Sequence, residues 1–510
     1  MAAPVTDIFA LHAQGNPDKP AVIEGDDVRT FAELNGEVNR LANGLAGLGY
    51  GPGDRVVWCG PNSREVLVLI HAARKLGLAA VPLSYRFTAE EMRYVIDNSE
   101  AVLVVVDAEQ APLIATIRDD LPKLRDVVVY RGRLQPFRAW EDVIEAGVDE
   151  EPPSTGESTG ATMIYTSGTT GKPKGAMRTS ADPAVVFALV QELGMGPDEV
   201  HLTTGPLYHS GPNAFAFLSH MLGGTVVVMR KFDAGEWVPL VRQHRVTSTF
   251  SAPTQLKRIV SLPDEVLAEA DLSSMHTLIA NAAPVPYALK QEVIAKLGEG
   301  FLYEVYGSTE LGVDTVLKPE DQLRKPGSCG RPYGGIEIKA VDDGGNSLPP
   351  GQPGELFIRT TLAMDGYHRT DEQLAEVDGG WKSVGDVGYL DEEGYLYISD
   401  RKKDMIISGG MNIYPAEIEA VLHAHPDVMD AGVFGIPDEE WGEKVHAVVQ
   451  PKPGREIDLA ALEGFVSERL AGYKRPRSWE IRAELPRTDS GKLLKRLLRD
   501  EHWAGRATGV

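Results

Sequence analysis

The sequence predicts an α/β chain, with two α/β layers and an antiparallel β section in a large N-terminal part, followed by a small α+β unit. Three observations predict it. Short apolar runs alternate with helix-period segments over about residues 30–106 and again over 161–250, the rhythm of parallel strands joined by helices. Short strands with Gly/Pro turns replace that rhythm over about 327–398. A run of five charges, Asp400-Arg401-Lys402-Lys403-Asp404, then separates everything before it from a final group of strands and helices. At 510 residues the chain is longer than one core usually organises, so two domains are expected, 1–402 and 403–510.

Thr30-Phe31-Ala32-Glu33 has the form of a capping box, and Phe31, Leu34, Val38, Leu41, Leu45 and Leu48 follow at helical spacing, so a helix is expected to end near Gly49. The turn Gly51-Pro52-Gly53-Asp54 leads into a strand over 55–59, and its glycines lack the GxGxxG spacing of a dinucleotide site. A helix over 63–76, a strand over 79–83, a helix over 89–96 and a strand over 101–106 complete a first, largely parallel layer. Residues 161–164 end a buried strand. A helix over 184–193, a strand over 225–229, a helix over 234–244 and a strand over 246–250 make the second layer. Strands over 335–340 and 354–359 belong to the antiparallel section, a barrel or a sandwich. The charge run follows a strand over 395–399. Beyond it a helix opens at Tyr414-Pro415-Ala416-Glu417-Ile418, strands cover 431–436 and 444–450, and a helix covers 459–470.

Composition narrows the class of function. A formal net charge of −23 argues against nucleic acid or an anionic membrane as the main partner, since both reward positive surface. Cys59 and Cys329 are too few and too distant for a disulfide framework or a cysteine zinc site, and both are expected as buried small apolar residues. No apolar run is long enough to cross a bilayer, and the opening Met1-Ala2-Ala3-Pro4 lacks the order of a signal peptide, so a cytoplasmic location is expected.

The chemistry concentrates in Tyr165-Thr166-Ser167-Gly168-Thr169-Thr170-Gly171-Lys172-Pro173-Lys174-Gly175. Glycines let backbone N–H groups turn around an oxyanion, hydroxyls add short-reach donors, and Lys172 and Lys174 offset phosphate charge. This is not a Walker A loop. Only two residues separate Gly168 from Gly171, and Lys172 is followed by Pro173 rather than Ser or Thr. Further motifs come in order: Asn281-Ala282-Ala283-Pro284, Tyr306-Gly307-Ser308-Thr309-Glu310, Ser383-Val384-Gly385-Asp386, Ile407-Ser408-Gly409-Gly410 and Leu485-Pro486-Arg487-Thr488-Asp489-Ser490-Gly491-Lys492.

Taken in this order over nearly the whole chain, the motifs resemble those of the adenylate-forming superfamily of acyl-CoA synthetases, luciferases and peptide-synthetase adenylation domains. That resemblance implies a distorted antiparallel β-barrel in the N-terminal part and a small, mobile C-terminal α+β domain. It implies ATP or AMP contacts from Thr166, Ser167, Gly168, Thr169, Thr170, Gly171, Lys172 and Lys174, with Thr166 also catalytic. Ala283 and Tyr306-Gly307 then lie along the adenine, Thr309 at the α-phosphate, Glu310 on Mg²⁺, and Asp386 with Arg401 at the ribose. Lys492 reaches the reacting carboxylate and α-phosphate, Gly409 and Gly410 border the path of coenzyme A, and Lys403 is the hinge. The sequence departs from the pattern at 281–283, where relatives have a glycine-richer stretch.

The implied reaction is ATP-dependent ligation of a carboxylic acid to coenzyme A through an acyl-adenylate. The acyl pocket falls to His209, Gly211, Ala216, Ala280, Asn281 and Ala282, whose small members favour a medium or long fatty acid or a bulky alicyclic acid. Ala216, seven residues after His209, is expected on the same helical face. The alternatives are an aryl acid–CoA ligase, a luciferase-like enzyme, an amino-acid adenylation domain and a catalytically silent nucleotide-binding regulator. Residues 206–213 hold no Asp or Glu to receive a substrate amine, and the presence of both Glu310 and Lys492 argues against the silent reading. Lys402, Lys474, Arg475 and Arg477 either hold the coenzyme A phosphates or form a solvated face.

Overall fold

The computed structural model describes residues 7–153, 160–166, 173–401, 404–409, 411–488 and 493–503. Local signals settle many of its boundaries. The Thr30 hydroxyl accepts from Glu33 N at 3.3 Å while the Glu33 carboxylate accepts from Thr30 N at 2.9 Å, and the helix Phe31–Gly47 starts from this reciprocal cap. Ser63 caps the helix Arg64–Leu76, which Gly77 ends in the left-handed conformation that glycine adopts without a Cβ clash. Its buried stripe, with Val66, Leu69, Ala73 and Leu76, packs against Leu34, Val38, Leu41 and Leu45 of the preceding helix.

The first sheet runs, from edge to edge, Gly366–Tyr367, Lys174–Arg178, Ala161–Thr166, Ala79–Leu83, Arg55–Cys59, Leu103–Asp107, Asp126–Tyr130 and Arg138–Ala139. Its strands are parallel except at the first two pairings, where a hairpin and a short late strand join antiparallel. The second sheet has parallel strands Pro20–Glu24, Thr225–Val228, Val200–Thr203, Ser248–Ser251, Thr277–Ala280 and Leu302–Ser308. Antiparallel strands close its two edges. Helices cover the faces of both sheets, so their strands are apolar on both sides, as the four consecutive valine and leucine positions of Leu103–Asp107 show.

The antiparallel section is a six-stranded sheet holding Glu337–Val341, Gly354–Arg359, Asp386–Leu390 and Leu396–Arg401. Its last strand runs two residues further than the sequence predicts, through Asp400 and Arg401, because both pair with Val387 and Asp386. The C-terminal unit is a five-stranded sheet around the long hairpin Val428–Asp438 and Gly442–Pro451, with the helices Pro415–His423, Leu459–Ser467 and Lys495–Trp503. Cys59 and Cys329 are buried and unpaired, and burial pushes both thiols up, as expected of small apolar core residues. Among the described residues no helix is long and apolar enough to cross a membrane.

Candidate active site

The strand ends of both large sheets and the C-terminal unit border one cleft of about 3340 Å³. Thr166, Ser210, Asn281, Tyr306, Thr309, Glu310 and Asp386 all line it. Thr166 ends the strand Ala161–Thr166 and is registered against Lys174, so the two residues that bracket the phosphate loop stand side by side. Ser167, Gly168, Thr169, Thr170, Gly171 and Lys172 lie outside the described residues, as do Lys402, Lys403, Gly410 and Lys492.

Glu310 is held from two sides. Thr166 Oγ1 donates to Glu310 Oε1 at 3.0 Å, and the Tyr367 hydroxyl donates to the same oxygen at 2.9 Å. Among the described residues Oε2 receives no side-chain donor, so the carboxylate is oriented with an oxygen to spare. A single carboxylate of this kind fits Mg²⁺, which keeps several waters and takes its other ligands from substrate phosphates. Burial, then the Glu310 charge, pushes the Tyr367 phenol up, so it remains a donor at neutral pH. Lys174 lies 5.5 Å from the Tyr367 ring centroid and pairs with Glu372.

Next to Glu310, Thr309 Oγ1 and Ser210 Oγ are 3.1 Å apart. Ser210 opens the helix Ser210–Met221, whose N-cap residue His209 is extended and makes no side-chain cap bond. The first N–H groups of this helix are therefore directed with its positive dipole end toward the Thr309 corner of the cleft, a disposition suited to an anion. On the far side, the Tyr306 hydroxyl donates to Asp386 Oδ2 at 2.7 Å. Burial first, and the Asp386 charge next, push that phenol well above its ordinary range. Asp386 is directly opposite Arg401 in the antiparallel register, which puts the two ribose candidates on neighbouring strands.

The departure at 281–283 has a structural answer. Ala282 adopts φ +76°, a conformation that favours glycine, and the Asn281 side chain spans the turn by donating to Val305 O and accepting from Ala282 N. Asn281, Ala282 and Ala283 all line the cleft.

Two acyl-pocket expectations are corrected. Ala216 is fully buried in the core under the helix, among Phe31, Val226 and Val228, and does not line the cleft. His209 is the N-cap at φ −96°, ψ 149°, so helical phase begins at Ser210 and the spacing counted from His209 carries no face. Asn213, Ala214, Phe217, Leu218 and Met221 line the cleft instead. Ala280, the last residue of Thr277–Ala280, is likewise fully buried in the core, with Leu202 and Leu278, since the chain turns toward the cleft only at Asn281. His209 and Gly211 line the cleft, and a Cβ on Gly211 would lie 2.7 Å from the Phe250 ring.

Gly409 is on an exposed turn at φ +57°, its N–H donating to Trp441 O at 2.8 Å, and is not part of the cleft wall. Lys474 pairs with Glu417 at 2.7 Å, while Arg475 donates to Leu470 O at 2.9 Å and Ser467 O at 2.8 Å. Arg477 stacks on Trp441 at 4.9 Å. Intramolecular partners thus engage three of the four basic groups.

Sequence reasoning missed Tyr367, Arg178 and Asp314. Arg178 donates to Thr309 O at 2.9 Å and to Leu362 O, clamping the backbone just before Glu310. Burial pulls its guanidinium down, opposed by Asp314, Asp365 and Glu310. Asp314, four residues after Glu310, is fully buried, and neither carboxylate oxygen has a hydrogen-bond partner among the described residues. Burial pushes its carboxyl well above the ordinary range, opposed by Arg178 and reinforced by Asp386. A charged residue on a strand with apolar flanks, Val313-Asp314-Thr315-Val316, was the available signal.

Residues 9–368 match the family described as AMP-binding enzyme, and residues 417–492 match the AMP-binding enzyme C-terminal domain. The chain is 38% identical to a feruloyl-CoA synthase of an Amycolatopsis species, covering 95% of this chain and 96% of that one. It is 35% identical to the fatty acid–[acyl-carrier-protein] ligase ScoC of Streptomyces coeruleorubidus, covering 98% and 97%. Its structure superposes with a TM-score of 0.84, at 30% identity and over 98% and 99% of the two chains, on the o-succinylbenzoate CoA synthetase MenE of Bacillus subtilis in complex with its acyl-adenylate intermediate.

Proposed function

The chain belongs to the AMP-binding enzyme family and is an AMP-forming acid–thiol ligase, and from that premise we propose that its acid is a medium- or long-chain fatty acid or a bulky ring-bearing carboxylic acid. Its reactants are that acid, ATP with Mg²⁺, and coenzyme A. One observation carries the choice of acid. Ser210, Asn213, Ala214, Phe217, Leu218 and Met221 form a stripe along the whole helix Ser210–Met221, so the cleft follows that helix for about 16 Å beyond the Thr309 corner. Val186 and Leu189 face the same space. An acid whose carboxylate sits at Ser210 and Thr309 has an apolar wall along a chain or fused ring. An aryl acid is the second reading, favoured by the Phe250 ring that packs directly over Gly211.

In the proposed division, residues 1–402 bind ATP and the acid, and residues 403–510 bring Lys492 and then the coenzyme A face. Thr166 and Tyr367 hold Glu310 in place, and Glu310 would hold Mg²⁺, whose charge offsets that of the polyphosphate when bound. Thr309, Ser210 and the helix N-terminus position the acid carboxylate against the α-phosphorus. No side chain needs to form a covalent bond, because the acid is itself the nucleophile. Tyr306 fixes the Asp386 carboxylate, which accepts from the ribose hydroxyls. A cytoplasmic setting, which supplies both ATP and coenzyme A, suits this chemistry.

Two measurements test the reading. A panel of carboxylic acids of graded length and ring size, assayed for pyrophosphate release and thioester with ATP, Mg²⁺ and coenzyme A, should peak well beyond acetate. Ala214→Trp should then lower kcat/KM for the longest acids by about tenfold or more while short acids lose little, since an indole fills a wall position without touching the phosphate end. An unchanged length profile would place the acyl chain elsewhere. Separately, Asp386→Asn replaces a charged acceptor of two hydroxyls by a neutral one, and KM for ATP should rise by about tenfold or more. Tyr306→Phe keeps the charge and loses only its anchor, so its KM should rise less. If the two variants have equal KM for ATP, Asp386 does not receive the ribose.

A further inference from the structure

Away from the cleft, the C-terminal sheet and the last helix bring together a second group of metal-ligating side chains. His446 lies on the strand Gly442–Pro451, Glu480 on the parallel neighbour Ser478–Ile481 and His502 on the helix Lys495–Trp503. One ligand atom from each lies within 4.8 Å of the other two. His446 Nε2 is 3.8 Å from Glu480 Oε2, and the two imidazole centroids are 4.7 Å apart with their planes at 55°.

His446 is what needs explaining. It is 2% exposed, yet neither ring nitrogen has a hydrogen-bond partner among the described residues. Buried polar atoms are normally satisfied, and an unmet one calls for a missing ligand or a specific role. Glu480 does not supply the reason, because its nearest carboxylate oxygen, 3.8 Å away, is beyond hydrogen-bond reach of the ring. A neutral imidazole offers a lone pair. The ring is walled by Phe434 at 5.1 Å, and Phe434 lies 6.0 Å from His502. Arg482 Nε donates to Glu480 Oε1, which fixes the carboxylate with its other oxygen toward His446.

We propose that His446, Glu480 and His502 bind a borderline divalent transition metal, zinc first, which clamps the last helix to the C-terminal sheet. Two imidazole nitrogens and one carboxylate oxygen are a donor set for zinc rather than for Mg²⁺ or Ca²⁺, which take oxygen ligands. Zinc binds such donors at about 2.0–2.2 Å, so the triad must draw in slightly. Rotation of the half-buried His502, with a pivot of Glu480 about its Arg482-bound oxygen, accomplishes this without moving the strand that carries His446. Water from the exposed side completes four-coordination. The clamped helix begins three residues after Lys492 in the sequence, so the ion restrains the chain that follows the lysine.

The test uses the full-length, untagged protein, stripped by a chelator, loaded with zinc and dialysed. Wild type should retain one zinc per chain, and the thermal transition should rise on loading. His502→Ala, at a half-exposed position, and His446→Phe, which keeps a ring in the buried site, should each lose the retained zinc and the thermal shift. Cobalt in place of zinc should give the visible bands of a four-coordinate ion in wild type alone. Pyrophosphate release by the stripped protein with Mg²⁺ should match that of untreated wild type, since the triad lies outside the cleft. Zinc retained equally by both variants, or by neither variant nor wild type, would overturn the proposal.

Discussion

Glu310→Gln should lower acid-dependent pyrophosphate release by about 100- to 1000-fold at saturating ATP, with little change in KM for ATP. Glutamine keeps the shape and can still accept from Thr166 and Tyr367, so the local hydrogen bonds at Oε1 survive. What it loses is the negative charge that a hard cation requires, and with it the offset to charge building on the leaving pyrophosphate. Binding of the nucleotide rests on other groups, including the candidate ribose contact at Asp386, so the loss should appear in kcat. Tyr367→Phe is the internal comparison. It removes one of two donors to Oε1 and leaves the charge, which is worth about 1 kcal/mol, or several-fold in rate. Equal losses in the two variants would mean that Glu310 is a structural acceptor rather than a metal ligand.

That comparison also marks where the sequence was readable. The motif Tyr306 to Glu310 is local, and so is the capping box at Thr30, because each depends on residues a few positions apart. Tyr367 is different. It reaches Glu310 from a two-residue strand, Gly366–Tyr367, that crosses from beyond the second sheet to pair with Lys174–Arg178 in the first. No periodicity can show in two residues, and only the tertiary pairing gives the phenol its partner. Pro20–Glu24 is a similar case, an early strand that adds to the second sheet beside Thr225–Val228 rather than to the first.

Ala216 was misplaced for another reason. Helical spacing is sound only inside the helix, and counting from His209 imported one extended residue into the phase, which turned Ala216 into the core. Asp314 shows the converse. Its neighbours read as an ordinary strand, and its burial without a hydrogen-bond partner is visible only once Arg178 and Asp386 stand near it in space. The phosphate loop, legible as composition, has described structure only at its two ends, Thr166 and Lys174.

Lys492→Ala should lower acyl-adenylate formation by about 100- to 1000-fold while thioester formation from supplied acyl-adenylate stays within a few-fold of wild type. Lys492 lies outside the described residues, and the chain before and after residues 489–492 is described. Arg487 and Leu493 form an antiparallel bridge, Leu494 N donates to Pro486 O at 2.8 Å, and Arg487 pairs with the buried Asp430. Arg487, Thr488 and Lys495, on both sides of the lysine in sequence, line the same cleft as Thr166, Glu310 and Asp386. Gly409 does not line it. The C-terminal unit thus brings the described residues on both sides of the lysine in sequence to the cleft, whereas Gly409 is off its wall; two separate half-reaction roles for these parts are what the variant tests. Gly409→Leu is a poor mirror experiment, because a Cβ there would meet the Trp441 ring and strain a positive φ. The lysine variant is cleaner, since alanine removes a flexible ammonium and leaves the backbone free. Single-turnover assays of each half-reaction, run on folded protein, separate the two steps. Equal loss in both would mean that one orientation of the C-terminal unit serves the whole reaction.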